Sequence, residues 1–173
     1  MNKYFYPLIE NPYSNSDISV AIKVLKSKQI TMSKKTIEFE KYFTKVFRSK
    51  NSVMVNSGSS ANLLALQCLI NPYRKKNLKP GDEVILPTLC WSTSLWPIIQ
   101  SNLKPVFVDI NKNTLNIDED EIEKKITKKT KAILLADIFG ISHNVNKIKK
   151  IAKKHNLKII SDAAQAPYSF VNR

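Results

Sequence analysis

Three short runs in this chain carry residues whose types and spacing suit ligand chemistry, and each follows an apolar stretch. The first is Asn56-Ser57-Gly58-Ser59-Ser60-Ala61-Asn62. A glycine among small hydroxyl residues lets the backbone approach an anion closely. A helix opening at about Ser59 adds unpaired N–H groups and the positive end of its dipole. Gly58, Ser59 and Ser60 are therefore candidates to hold a phosphate. A tight strand-to-helix turn with a serine N-cap explains the same residues equally well. The run is neither a Walker loop nor a G-x-G-x-x-G fingerprint, so both readings stand.

The second run is Thr88-Leu89-Cys90-Trp91-Ser92-Thr93. Trp91 could stack on a planar ring, although a core aromatic is the commoner use of such a residue. Trp96, further along the same helix, reads as packing. The third run is Asp162-Ala163-Ala164-Gln165-Ala166. A carboxylate after an apolar strand is costly unless it is paired, and no cation lies nearby in sequence. Either a ligand cation or a lysine or arginine from elsewhere in the fold must answer Asp162. Gln165 can present its amide to the same ligand, and the alanines between leave room. A phosphate cradle, a flat ring and an acid are together consistent with pyridoxal 5'-phosphate (PLP). Its pyridine nitrogen needs an acid to stay protonated, so that the ring can accept electrons.

The elements that must position these runs are legible from periodicity. Apolar segments at 52–56, 83–87, 105–109, 132–136 and 157–161 read as strands. Helical patterns occupy 16–27, 34–47, 59–70, 92–100, 118–126 and 144–155, with Asp118 and Glu121 in capping-box spacing. Strands that are apolar throughout and separated by helices predict an α/β fold. It is expected to have three layers, a mainly parallel sheet covered by helices on both faces. Ligands of such sheets bind at the carboxyl ends of the strands, where all three runs lie. No repeat, low-complexity linker or domain boundary is visible. Asp109 and Asp137 read as loop or helix caps. His143 and His155, on a lysine-rich stretch, read as surface residues and neither as ligand nor base.

Composition narrows the classes. Of 173 residues, 43% are hydrophobic and 24% charged, as in ordinary globular proteins. Twenty-eight Lys+Arg against 14 Asp+Glu give a net charge of +14. Only Arg48, Arg74 and Arg173 are arginine, which leaves 25 lysines. Arginine is the residue favoured for reading phosphates and bases, so its scarcity counts against nucleic acid as a partner. The lysine-rich segments 124–131 and 147–154 read as solvated helix faces. No apolar run approaches the roughly 20 residues of a membrane span, and the N-terminus lacks the layout of a secretory signal. Cys68 and Cys90 are the only cysteines, which argues against a disulfide scaffold or a zinc site and for a cytoplasmic protein without metal.

Five segments, FEKYFTKVFRSKNSVMVNSGSSANLLAL, KPGDEVILPTLCWSTS, KPVFVDINKNTLNID, KKTKAILLADIFG and IAKKHNLKIISDAAQA, occur in one order across about 11–166. In that order and spacing the sequence resembles the DegT/DnrJ/StrS family of PLP-dependent nucleotide-sugar aminotransferases. The resemblance implies a fold-type-I large domain. By motif position Gly58, Ser59 and Ser60 would bind the cofactor phosphate, Trp91 would stack on its ring, Asp162 would pair with the pyridinium nitrogen and Gln165 would face the ring hydroxyl. It also implies transfer of an amino group, usually from glutamate, to a nucleotide-linked keto-sugar destined for lipopolysaccharide, capsule or antibiotic sugars. The working form would be a homodimer.

Two departures from the family pattern matter. Asp137, in ADIFG, stands where many relatives have histidine. The chain also ends at Arg173, so the Schiff-base lysine and the small C-terminal domain are expected beyond it. Residues 1–173 then represent an N-terminal segment and a partial PLP-binding large domain, with no catalytic residue assigned among the lysines present. Such a fragment is expected to hold the cofactor without turnover. A related branch contains PLP-dependent sugar 3-dehydrases, with histidine in place of that lysine. The segment NSGSSANLLALQCLINP and the long loop before KPGDEVI resemble that branch, whereas Gln165 fits the aminotransferases better. A non-catalytic nucleotide-binding module, using the Gly58 loop alone, is the further alternative.

Overall fold

The computed structural model describes residues 9–169. The chain clusters into two compact units that divide between Met54 and Val55, a boundary that no change of composition marks in the sequence.

The first unit contains α1 (Asn15–Lys26) and α2 (Lys34–Val46). Ser14 opens α1 with a reciprocal capping box: its hydroxyl accepts the Asp17 N–H at 3.2 Å and its own N–H donates to Asp17 Oδ2 at 2.8 Å. That bonding, together with the positive end of the helix, suits an acid at this position, and the hydrogen bonds from Ser14 hold the Asp17 carboxyl below its ordinary range. On α2, Phe39, Phe43 and Phe47 recur at four-residue spacing and pack in series, with ring centroids 5.8 and 4.1 Å apart.

The run 52–56, expected as the first strand, does not join a ladder among the described residues. A strand needs a neighbour to take its N–H and C=O groups. Here the Met54 N–H goes to Glu40 Oε1 at 2.8 Å, and the Thr44 hydroxyl donates to Ser52 Oγ at 2.8 Å. Val53 and Met54 are both exposed. The run is therefore not a strand among the described residues, and the sheet begins with the next apolar run, Glu83–Pro87.

The second unit starts with α3 (Gly58–Ile70) and continues through β1 (Glu83–Pro87), α4 (Ser92–Gln100), β2 (Lys104–Val108), α5 (Glu119–Lys125), β3 (Thr130–Ala136), a short 3-10 turn (Ile138–Gly140), α6 (Val145–His155) and β4 (Lys158–Asp162). The four strands are parallel in the order β2-β1-β3-β4. Alternation along each strand sends successive side chains to opposite faces. Ile85, Ile133 and Leu135 pack with Ile122 of α5 and Ile148 and Ile151 of α6. Val84, Leu86 and Leu134 pack on the other face with Leu66 of α3 and Ile98 of α4. The expected α/β architecture, a parallel sheet with helices on both faces, is therefore present. No described helix is long and apolar enough to cross a membrane.

The register sets the site. Ala136 pairs with Asp162, and Pro87 with Val108. The segments leaving β1, β3 and β4 therefore emerge side by side along one edge.

Candidate active site

Ser57 has extended backbone (φ −161°, ψ 161°), and its hydroxyl accepts the Ser60 N–H at 3.2 Å. The Ala61 N–H bonds to the Ser57 carbonyl at 3.0 Å. A helix leaves its first N–H groups unpaired, and after these two bonds those of Gly58 and Ser59 remain as donors. Gly58 and Ser59 line a cleft of about 530 Å³; Ser60, whose N–H is spent on the cap, does not. A Cβ placed on Gly58 would meet nothing within 4 Å, and its φ lies outside the left-handed region. Nothing in the protein itself requires glycine there. The space it leaves belongs to the cleft.

Trp91 sits at the N-cap of α4 with extended backbone and its side chain is 72% exposed. It lines the same cleft, so the core-aromatic alternative does not apply. Its carbonyl accepts the Ser94 N–H at 2.9 Å, which turns the chain into α4. Ser94 is fully buried, and its hydroxyl points back to Asp162 Oδ2 at 3.3 Å.

Asp162 ends β4, rather than following it, and is half-buried. Its Oδ2 also accepts the Asn62 side-chain amide at 2.7 Å, and Oδ1 accepts the Ala164 N–H at 3.1 Å. All three donors are neutral. Among the described residues no lysine, arginine or histidine forms an ion pair with it. The bland explanation for Asp162, a distant basic side chain, is thus not realised, and its charge is left facing the cleft. Cys90, on the same wall, registers this environment: burial, reinforced by the negative charge of Asp162, pushes its thiol above the ordinary range.

Gln165 is held by the turn after β3. There Phe139 (φ 53°) and Gly140 (φ 82°) are both left-handed, and a Cβ on Gly140 would come within 3.3 Å of the Gln165 carbonyl. The turn aims the Phe139 N–H at Gln165 Oε1, 2.7 Å away. With the oxygen occupied, the Gln165 NH2 is the group left to donate.

Sequence reasoning missed the donors of Asp162 and misplaced one histidine. Asn62 and Ser94 are buried polar residues on apolar helices, the pattern that signals a partner in the fold. His143 was expected on the surface but is buried: its Nδ1 lies 2.6 Å from Asp137 Oδ1, which also accepts the His143 N–H at 3.1 Å. Six residues separate the two across the Gly140 turn, and that turn folds one onto the other. Asp137 is accordingly a cleft residue as well as a loop cap. His155 does lie at the surface, against Glu123 at 2.7 Å.

Comparison with known proteins follows this geometry. The GDP-4-keto-6-deoxy-D-mannose 3-dehydratase of Yersinia pseudotuberculosis is 38% identical over 161 residues, which are 93% of this chain and 41% of that protein. A crystal structure of GDP-4-keto-6-deoxymannose-3-dehydratase with a trapped PLP-glutamate geminal diamine superposes with a TM-score of 0.91 at 38% identity, covering 96% of this chain and 43% of that one. An aminotransferase from Psychrobacter cryohalolentis superposes with a TM-score of 0.86 at 28% identity, covering 96% and 40%. The chain thus spans about two fifths of the length of these relatives. The model of the DegT/DnrJ/EryC1/StrS aminotransferase family matches residues 13–172, and the chain belongs to that family.

Proposed function

We propose that this chain carries the cofactor site of a PLP-dependent enzyme that acts on a nucleotide-linked keto-sugar. The observation that carries the reading is Asp162: a carboxylate with three neutral donors, no cationic partner among the described residues, and a cleft before it. The donor set fits PLP. The Gly58 and Ser59 N–H groups would hold the phosphate, Trp91 would cover the ring, Asp162 would hold a proton on the pyridine nitrogen, and the Gln165 NH2 would meet the ring hydroxyl. Ser60 supports the phosphate turn through its bond to Ser57. Bound there, the cofactor supplies an electron sink for a carbanion on the substrate. Asn62 and Ser94 hold the Asp162 carboxyl in place through their bonds to Oδ2.

Gln165 supports transamination, with an amino acid such as glutamate as donor, in the making of cell-surface polysaccharide or deoxyamino sugars. The 38% identity to a 3-dehydratase over 93% of the chain supports a second reading, dehydration at carbon 3. In a protein that joins this segment to the expected Schiff-base residue, GDP-4-keto-6-deoxy-D-mannose and 15N-glutamate would give 15N in the sugar product of a transaminase and none in that of a dehydratase. The pairing of two chains into a homodimer belongs to the same proposal.

Cofactor binding is tested with pyridoxamine 5'-phosphate (PMP), because the PLP aldehyde would condense with any of the 25 lysines. PMP is expected to quench tryptophan fluorescence saturably. Trp91→Phe should remove most of the quenching, and Asp162→Ala should weaken binding by about tenfold or more. No saturable quenching, or equal affinity in Asp162→Ala, overturns the reading. Binding of GDP or dTDP without any binding of PMP would favour a plain nucleotide-binding module.

A further inference from the structure

Asp137 and His143 take no part in holding the cofactor as proposed, yet they form a buried carboxyl–imidazole contact, each side chain 6% exposed. A buried carboxylate is costly unless its oxygens are matched. Oδ1 of Asp137 is matched twice, by the His143 N–H and by its ring Nδ1. A carboxylate only accepts, so the ring proton sits on Nδ1 and the imidazole orientation is set. Oδ2 receives no donor from the described residues. No described side-chain polar atom is both fully buried and unmatched, and Asp137 is among the residues that line the cleft.

The backbone around the pair is fixed as well. The Asp137 N–H bonds to the Asp162 carbonyl at 3.1 Å, which ties the two cleft carboxylates to adjacent strand ends. The Asn116 side chain accepts the Ile138 N–H at 3.2 Å and donates to the Ile141 carbonyl at 2.7 Å, clamping the turn between Asp137 and His143. An aimed, half-matched carboxylate on a rigid wall is an acceptor waiting for a donor. No lysine or arginine is among the described residues that line the cleft.

We propose that Asp137 Oδ2 accepts a hydrogen bond from a hydroxyl of the substrate's hexose, and that His143 is the positioning residue that aims it. This rests on the keto-sugar reading and deepens it: a residue that departs from the family pattern becomes a determinant of which sugar is taken. Removing a charge-assisted hydrogen bond of this kind costs about tenfold or more in affinity.

The test is calorimetric titration of the chain with GDP-mannose and with GDP, with and without PMP. Wild type should bind GDP-mannose more tightly than GDP. Asp137→Asn should lose about tenfold or more for GDP-mannose while its affinities for GDP and PMP stay unchanged. His143→Ala should act in the same direction, and His143→Asn, which keeps a donor near the Nδ1 position, should restore most of the affinity. Unfolding midpoints of the variants show that each is folded. Equal GDP-mannose affinity in wild type and Asp137→Asn, an equal loss for GDP, or no preference of wild type for GDP-mannose overturns the proposal. A separate titration with PMP keeps the two readings apart: absence of PMP binding overturns the cofactor site, whereas equal GDP-mannose affinity in wild type and Asp137→Asn overturns the role of Asp137.

Discussion

The Asn62 side-chain amide donates to Asp162 Oδ2 at 2.7 Å across 100 residues of sequence. The bond joins the first turns of α3, where the phosphate-binding candidates lie, to the carboxylate at the end of β4, which forms no ion pair among the described residues. Asn62 is buried at 6% exposure on an otherwise apolar helix face. The same contact that satisfies Asp162 therefore also fixes the start of α3 relative to the strand.

Asn62→Ala should cost about 1–2 kcal/mol of stability, because it strips a charged acceptor of one donor in a half-buried place. Asn62→Asp should cost more than Asn62→Ala at neutral pH, since it sets two carboxylates in contact. Urea unfolding of the three proteins checks this. Equal stability of the Ala and Asp variants at neutral pH would contradict it.

Two glycines should respond oppositely to alanine. Gly58→Ala meets no atom and needs no left-handed backbone, so stability should change by less than about 0.5 kcal/mol. PMP affinity should fall, because the methyl group enters the cleft. Gly140→Ala puts a Cβ at φ 82° and 3.3 Å from the Gln165 carbonyl, and should cost about 1–2 kcal/mol. Thermal melts paired with PMP titrations separate the two effects.

Cys90 should report on the cleft. Its thiol is held above the ordinary range by burial and then by the Asp162 charge, whereas Cys68 is exposed. Alkylation depends on the thiolate, so Cys90 should react more slowly than Cys68 near pH 8. Asp162→Asn should accelerate Cys90, and PMP should protect it. Peptide mapping by mass spectrometry reads both sites. Faster reaction at Cys90 than at Cys68 in wild type would count against this account.

Glu83 gives a pH dependence with a definite sign. The Thr127 hydroxyl, 2.6 Å away, is the main cause holding its carboxyl below the ordinary glutamate range; burial opposes it, and Thr130, Lys129 and Lys104 add smaller lowering contributions. A depressed folded-state value means that the contribution is present above the unfolded value of about 4.3 and is lost as pH falls through the lower, folded one. Thr127→Val should therefore be less stable than wild type near neutral pH, and the gap should close by about pH 3. Urea midpoints across that range check it. A gap that widens on acidification would contradict the sign.

The strands were legible because β1 and β3, buried on both faces, leave near-continuous apolar runs such as VIL and AILLA. The cleft was legible because parallel strands deliver their loops to one edge, which places Trp91 and Asp162 together, whereas Gly58 follows a run that joins no ladder among the described residues. Contacts between distant segments were not. Nothing in the order of residues links Asn62 to Asp162, or says that a turn with left-handed Phe139 and Gly140 will bury His143 against Asp137. The run 52–56 shows the converse limit: a short apolar run suggests a strand, but ladder formation depends on a neighbour that the run itself does not encode.

The central claim is that Asp162 meets the ring nitrogen of the cofactor, and the most direct measurement is the 15N chemical shift of PMP labelled at that nitrogen. It should be recorded on the bound form at a pH where free PMP has lost the ring proton. The account predicts a protonated nitrogen in wild type and a neutral one in Asp162→Asn. A bound nitrogen that matches free PMP, or one unchanged by Asp162→Asn, would contradict it.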